Sequence, residues 1–158
     1  MITSKHLSYC LKYLIRLFSF KYYTDYGKLS VRNVAINPSG SFDEICGYAE
    51  VPNPAYPGEL KVYFPFAPPG DYWLIDTDYQ NFASVYACTD VFGIVKIEFA
   101  WILVRNPNSV SFETMANALD AFKAQNITTA NFLPVMNDGC TYEDPSGAEP
   151  CAGGNFGK

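Results

Sequence analysis

The chain has 158 residues, enough for one domain of ordinary size with a sizeable core. Hydrophobic residues make up 49% of it and charged residues 17%, which excludes a disordered polymer. The formal net charge of −5 argues against nucleic acid or an anionic membrane as a partner, because both reward clustered Lys and Arg. Aromatic residues reach 16% and favour a strand-rich fold.

The first residues, 1–20, form an atypical N-terminal segment. Leu7, Leu11, Leu14 and Phe18 fall at helical spacing, and charged side chains interrupt the apolar run. This pattern predicts a short amphipathic helix or a poorly cleaved leader. It is too short and too charged for a membrane span, and we expect no span elsewhere in the chain.

From about residue 21 the hydrophobic period changes to two, which predicts strands. Leu29, Val31 and Asn33 are expected on one strand face, with Arg32 on the other. Turn signals follow each strand, a pattern typical of an antiparallel up-and-down sheet or barrel. About eight strands enclose a cavity for one small ligand. Seven precede the helix described next: Tyr22–Tyr26, Leu29–Val34, Phe42–Val51, Leu60–Phe66, Tyr72–Tyr79, Phe82–Thr89 and Ile94–Val104.

One helix is predicted late in the chain. It begins after Ser109 or Ser111, either of which can cap it, and ends at Asn126. A short strand over 131–135 follows. The predicted organisation is therefore a barrel with its helix over 21–140 and a flexible tail over 141–158. The expected apolar face of the helix consists of Phe112, Met115, Leu119 and Phe122.

Three motifs in this order resemble the apolipoprotein D-like branch of the lipocalin family. They are Thr77-Asp78-Tyr79 at the end of a strand, then Tyr86-Ala87-Cys88-Thr89, then Phe99-Ala100-Trp101-Ile102-Leu103-Val104-Arg105-Asn106-Pro107. The resemblance covers about residues 22–140. It implies an all-β antiparallel up-and-down β-barrel with one C-terminal α-helix, in which Thr77, Asp78 and Tyr79 stabilise a loop.

The family's first strand, with its Gly-x-Trp motif, has no counterpart in residues 1–21. We therefore expect that strand to be missing or replaced. In the family, the arginine that matches Arg105 packs across this tryptophan and covers the barrel floor. Here Tyr13, Phe18 or Phe20 could substitute.

Five cysteines without a Cys-x-x-Cys pair, and a single histidine, predict neither a metal site nor another cofactor. One or two disulfides in an oxidising compartment are expected, with one cysteine left over; the alternative is several buried thiols. By resemblance, Cys88 pairs with an N-terminal cysteine and Cys140 with one entering the second strand. Cys10 could take either place. The disulfide candidates are Cys10, Cys46, Cys88, Cys140 and Cys151.

The resemblance also implies which residues line a ligand. Along the last strand Phe99, Trp101, Leu103 and Arg105 share the inward face, while Ala100, Ile102 and Val104 pack outward, the last under the helix. Aromatic walls supply apolar area, and one amide and one phenol fix a polar end. The predicted ligand-binding residues are Trp101, Phe64, Asn33, Tyr22 or Tyr23, Phe99 and Leu103.

The function predicted from these features is non-enzymatic transport of a small lipophilic molecule: a fatty acid, steroid, retinoid or pigment. Two alternatives stay open. One is a lipocalin-fold enzyme using Cys88 as a cavity thiol, and the other is a truncated form that binds no ligand. By resemblance the protein is secreted, and Asn126-Ile127-Thr128 is a sequon for glycosylation. The sequence leaves the oligomeric state open.

Overall fold

The protein is described by a computed structural model over residues 2–4, 14–23, 28–36, 42–106 and 108–135. All described strand pairings are antiparallel, and one helix follows the eighth strand. The predicted class, all-β with a single C-terminal helix, is therefore confirmed. The elements are β1 (Ile2–Ser4), β2 (Leu14–Tyr23), β3 (Lys28–Ile36), β4 (Phe42–Glu50), β5 (Glu59–Tyr63), β6 (Gly70–Thr77), β7 (Phe82–Val91), β8 (Val95–Val104), α1 (Phe112–Ala124) and β9 (Phe132–Pro134).

The strands fall into two compact units. One unit comprises residues 10–70 and 137–158 and holds β2, β3, β4 and β5 in sequential order, called here the four-strand sheet. The other comprises residues 1–9 and 71–136 and holds the order β6-β7-β8-β1-β9 together with α1. We call it the helix-bearing sheet.

In the four-strand sheet the backbone register agrees with the predicted alternation. Val31 pairs with Gly47 and Asn33 pairs with Ile45, so these residues share one face. Arg32 pairs with Cys46 on the other face. Val31 is buried, which marks its face as a packed one.

The N-terminal segment differs from the prediction. Residues 14–20 belong to strand β2, which pairs with β3 from Leu14 to Tyr23, so the expected helix is wrong over these residues. A register shift lies between Ile15 and Leu17. Such a bulge breaks the strict period of two, so the apolar residues on its two sides imitate helical spacing. The partner strand satisfies the backbone groups that the helix would have satisfied internally.

Helix α1 begins and ends with recognisable caps. Ser111 Oγ accepts a hydrogen bond from the backbone N–H of Thr114 at 3.0 Å, as an N-cap does. At the other end Ile127 N–H donates to Phe122 O and Asn126 N–H donates to Lys123 O, both at 2.9 Å. This is a Schellman ending, with Asn126 in the left-handed region at φ 57°.

The helix packs on the face of β8 that was predicted to lie under it. Ile102 and Phe122 are completely buried, and the Phe122 ring meets Phe132 edge-on at 5.0 Å. Phe112 was predicted on this face but does not join it: it is the first residue of the helix and is 92% exposed. The buried core consists of Phe82, Ala100, Ile102, Ala118 and Phe122.

The cysteines differ from the pairing that the resemblance implied. Cys46 is disulfide-bonded, whereas Cys88 carries a free thiol. Cys88 lies inside strand β7, paired with Glu98 of β8 and beside the hydroxyl of Tyr86. Among the described residues, no cysteine lies opposite Cys88 on the neighbouring strand. Cys10, Cys140, Cys151 and the tail over 141–158 lie outside the described residues. In the described part of the chain, no helix has the length and apolar character needed to cross a membrane.

Candidate functional site

Three aromatic rings stack across the face of the helix-bearing sheet that lies opposite α1. The ring centroids of Phe99 and Trp101 lie 5.7 Å apart with an interplanar angle of 6°. The centroids of Trp101 and Tyr72 lie 6.4 Å apart at 18°. We call these three residues the aromatic stack; it places the predicted Phe99 and Trp101 side by side.

Small side chains on the strand between them make room for the stack. Val85 of β7 pairs with Trp101, and Ala87 pairs with Phe99. Val85 is completely buried under the rings, and burial also raises the pKa of the Tyr72 phenol above its ordinary range. Phe99 nevertheless keeps 45% of its surface exposed. The aromatic stack therefore packs on buried side chains of β7, while Phe99 stays partly exposed.

The opposite face of this sheet is covered by α1 and forms part of the hydrophobic core. Ser84 Oγ donates to the carbonyl of Ala118 in α1 at 2.8 Å, and Ser84 is completely buried. Trp73 lies on this face with its ring 5.9 Å from that of Tyr86. The hydroxyl of Tyr86 donates to the carboxylate of Glu98, and Cys88 follows two residues along β7 on the same face. Cys88 thus lies on the face away from the aromatic stack.

In the four-strand sheet, Phe64 lies against a glycine. A Cβ atom at Gly47 would lie 2.6 Å from Phe64 Cδ1 and 2.2 Å from the carbonyl oxygen of Tyr63. Only glycine leaves room for the Phe64 ring and the Tyr63 carbonyl at this point. Gly47 shares its face with Val31, so Phe64 adds an aromatic surface to the face that carries Asn33.

Asn33 is the polar residue on that face. Its Oδ1 atom is buried, and no described residue donates a hydrogen bond to it. The facing residue, Ile45, is 42% exposed although it lies on the same side of the sheet. Among the described side chains, the direct neighbour of Asn33 on β4 is therefore apolar and partly exposed.

The remaining predicted ligand-binding residues are Leu103, Tyr22 and Tyr23. Leu103 lies half-buried on β8, two residues beyond Trp101. The register pairs Tyr22 with Leu29 and Tyr23 with Lys28, and the side chains of both tyrosines lie outside the described residues.

The Thr77-Asp78-Tyr79 motif builds the turn between β6 and β7. Asp78 Oδ1 accepts hydrogen bonds from the backbone N–H groups of Gln80, Asn81 and Phe82 at 2.7–3.0 Å. These bonds, led by those from Asn81 and Phe82, hold the pKa of the Asp78 carboxyl well below its usual range. Tyr79 takes a positive φ of 60° within this turn. The carboxylate organises the loop.

Arg105 closes the same loop onto the end of β8. Its Nε donates to the carbonyl of Gln80 at 2.7 Å and its Nη2 to the carbonyl of Tyr79 at 3.1 Å. Its backbone N–H donates to Asn81 O at 2.9 Å. Arg105 thus has carbonyl partners of its own, independent of the tryptophan that the resemblance associates with it. The substitutes considered for that tryptophan lie outside the described side chains.

Two residues of these faces were missed by sequence reasoning. Tyr72 begins a predicted strand, and its pairing with Trp101 depends on a neighbouring strand that one sequence does not reveal. Gly47 interrupts an otherwise ordinary strand, and an isolated glycine in a strand is a signal for close approach of another group.

The comparisons with known proteins agree with this architecture. The profile of the Lipocalin / cytosolic fatty-acid binding protein family matches residues 15–138. The chain belongs to this family. Among solved structures, lobster apocrustacyanin A1 superimposes with a TM-score of 0.66 at 22% identity, covering 84% of this chain and 71% of that one. Insecticyanin from the tobacco hornworm Manduca sexta gives 0.69 at 22%, covering 85% and 74%.

Within the family, the chain is similar to apolipoprotein D. It is 42% identical over 82 residues to the Mus musculus protein, covering 51% of this chain and 43% of that protein. It is 36% identical over 110 residues to the Macaca fascicularis protein, covering 69% and 54%. The chain spans about half the length of the curated relatives it matches.

Proposed function

We propose that the protein binds and transports a small hydrophobic molecule, such as a fatty acid, steroid, retinoid or pigment. The observation that carries this proposal is the aromatic stack of Tyr72, Trp101 and Phe99. One face of its sheet is covered by α1, while the stack keeps accessible ring surface on the other. Large flat apolar surface with few polar groups suits a lipophilic ligand.

The position of Cys88 favours a carrier over an enzyme. A cavity thiol would need to face the aromatic stack, but Cys88 pairs by register with Glu98 and lies on the other face of the sheet. A nucleophilic thiol also needs an adjacent base. The hydroxyl of Tyr86 already donates to Glu98 there, and His6 lies outside the described residues. We further propose secretion, which agrees with the disulfide at Cys46.

Tryptophan fluorescence tests the proposal, because the chain has two tryptophans and the strand register places them on opposite faces of one sheet. In Trp73→Phe the only tryptophan left is Trp101. Titration with retinol and with hexadecanoate should quench its emission saturably, because the ligand lies on the aromatic stack.

The matched variant is Trp101→Phe, which keeps Trp73 as the reporter beside Tyr86. Its emission should change little on titration. Emission of folded Trp73→Phe that is unaffected by both ligands would show that the stack binds neither, and the non-binding alternative would then stand.

A further inference from the structure

Strand β8 has one edge that is paired over only part of its length. On one side, β7 pairs with all of β8, from Val95 to Val104, without a register shift. On the other side, β1 pairs with Trp101 and Ile102 alone. In the described part of the chain, no strand pairs with the segment 95–99 on that side. We call this segment the open edge, and half of its backbone N–H and C=O groups point away from β7.

The open edge lacks most of the features that protect an exposed strand from pairing with another chain. Prolines, bulges and charges of one sign usually do so. The open edge has no proline and no bulge, and its two charges, Lys96 and Glu98, are of opposite sign. On the face of the aromatic stack, Val95 is 50% exposed and Phe99 is 45% exposed. An edge of this kind is a site for the addition of a strand.

We infer that the open edge pairs with the open edge of a second copy, in an antiparallel ladder with its two-fold axis at Ile97. This register sets Lys96 opposite Glu98 of the second copy, twice, on one face of the sheet. On the other face it sets Val95 opposite Phe99 of the second copy, also twice. The open edge is therefore complementary to itself in charge and in apolar surface, as a two-fold contact requires.

The charges of the open edge select this register over its neighbours. A two-fold antiparallel pairing must centre on a residue, because side chains that lie opposite each other share a face of the sheet. Centred on Lys96, the pairing would set two lysines opposite each other, and centred on Glu98 it would set two glutamates opposite each other. Like charges in these positions are destabilising. The register centred on Ile97 sets only unlike charges opposite each other.

Charge reversal tests both the surface and the register, through sedimentation velocity of the ligand-free protein at increasing concentration. Lys96→Glu and Glu98→Lys each set like charges opposite each other, so each should raise the dimer dissociation constant by about tenfold. An equal mixture of the two variants should form a heterodimer about as tight as the parent dimer, because every opposed pair then has unlike charges. Lys123→Glu, at an exposed position of α1, is the matched control and should dimerise like the parent protein.

A parent protein that stays monomeric up to about 1 mM would overturn the inference. A dimer that neither reversal weakens would overturn it as well, because the two copies would then meet through another surface. Weakening without recovery in the mixture would contradict the register at Ile97.

Hydrogen exchange of the parent protein gives a second readout, which decides if a variant does not fold. The amides of the open edge should become more protected as the concentration rises, and unchanged exchange in a dimerising sample would overturn the inference. The contact goes beyond the proposed ligand binding and does not depend on it, so a protein that binds no retinol would leave this test unaffected.

Discussion

Hydrogen bonds from single side chains organise the loop between β6 and β7. Asp78 and Arg105 act on the same loop, one by accepting its backbone N–H groups and the other by donating to its carbonyls. Asn33 differs from both, because no described residue donates a hydrogen bond to its buried Oδ1 atom. Hydrogen bonds that are satisfied within the chain stabilise its loops.

The carboxylate of Asp78 makes stability depend on pH. Its pKa is held well below the unfolded value of about 3.9, so its contribution is complete above about pH 5 and is lost as the pH falls below about 4. Asp78→Asn should lower the urea midpoint at pH 7, and the gap to the parent should narrow between pH 4 and pH 2. Asp120→Asn, at an exposed site that forms an ion pair with Lys123, is the control. A gap that stays constant with pH would contradict this role.

Asn126 combines a helix ending with a sequon. Its φ of 57° suits glycine, so Asn126→Gly should keep the Schellman ending with a change in stability within about 1 kcal/mol. The side chain is exposed, as is Thr128. We predict that the protein made in a eukaryotic secretory host loses mass on treatment with an amidase that removes N-glycans, and that Asn126→Gly does not. An unchanged mass of the parent protein would refute glycosylation at this site.

At the scale of elements, the sequence predicted well wherever local pattern and tertiary packing agree. The faces of β3 and β8 alternate as expected, and α1 begins at one of its two predicted caps. Strand β2 was missed because its bulge near Arg16 disturbs the period and its partner strand, not its own pattern, determines its conformation. The stacking of Tyr72 on Trp101 was missed for a similar reason, since cross-strand neighbours depend on register.

Helix α1 offers a matched pair of phenylalanines. Phe122 is completely buried, whereas Phe112 is 92% exposed on the same helix. Phe122→Ala should lower the free energy of unfolding by about 3–5 kcal/mol, because it leaves a cavity against Phe132. Phe112→Ala should change it by no more than about 0.5 kcal/mol. Chemical denaturation of both variants measures the difference, and similar losses would contradict the assigned helix face.

At the scale of the whole molecule, each of the two compact units carries its own candidate surface. The helix-bearing sheet carries the aromatic stack, and the four-strand sheet carries Asn33 and Phe64. Family membership rests on residues 15–138, which include strands of both units. The proposed carrier function requires that each folded chain bind a defined number of ligand molecules. Nonspecific adsorption of many ligand molecules to exposed apolar residues would not meet this requirement.

Native mass spectrometry of the folded protein with increasing retinol measures this requirement most directly. We predict one added ligand per chain, with occupancy that saturates and falls when Trp101 is replaced by alanine. A distribution of zero, one, two and more ligands that grows without saturation, or no adduct at all, would contradict the carrier function.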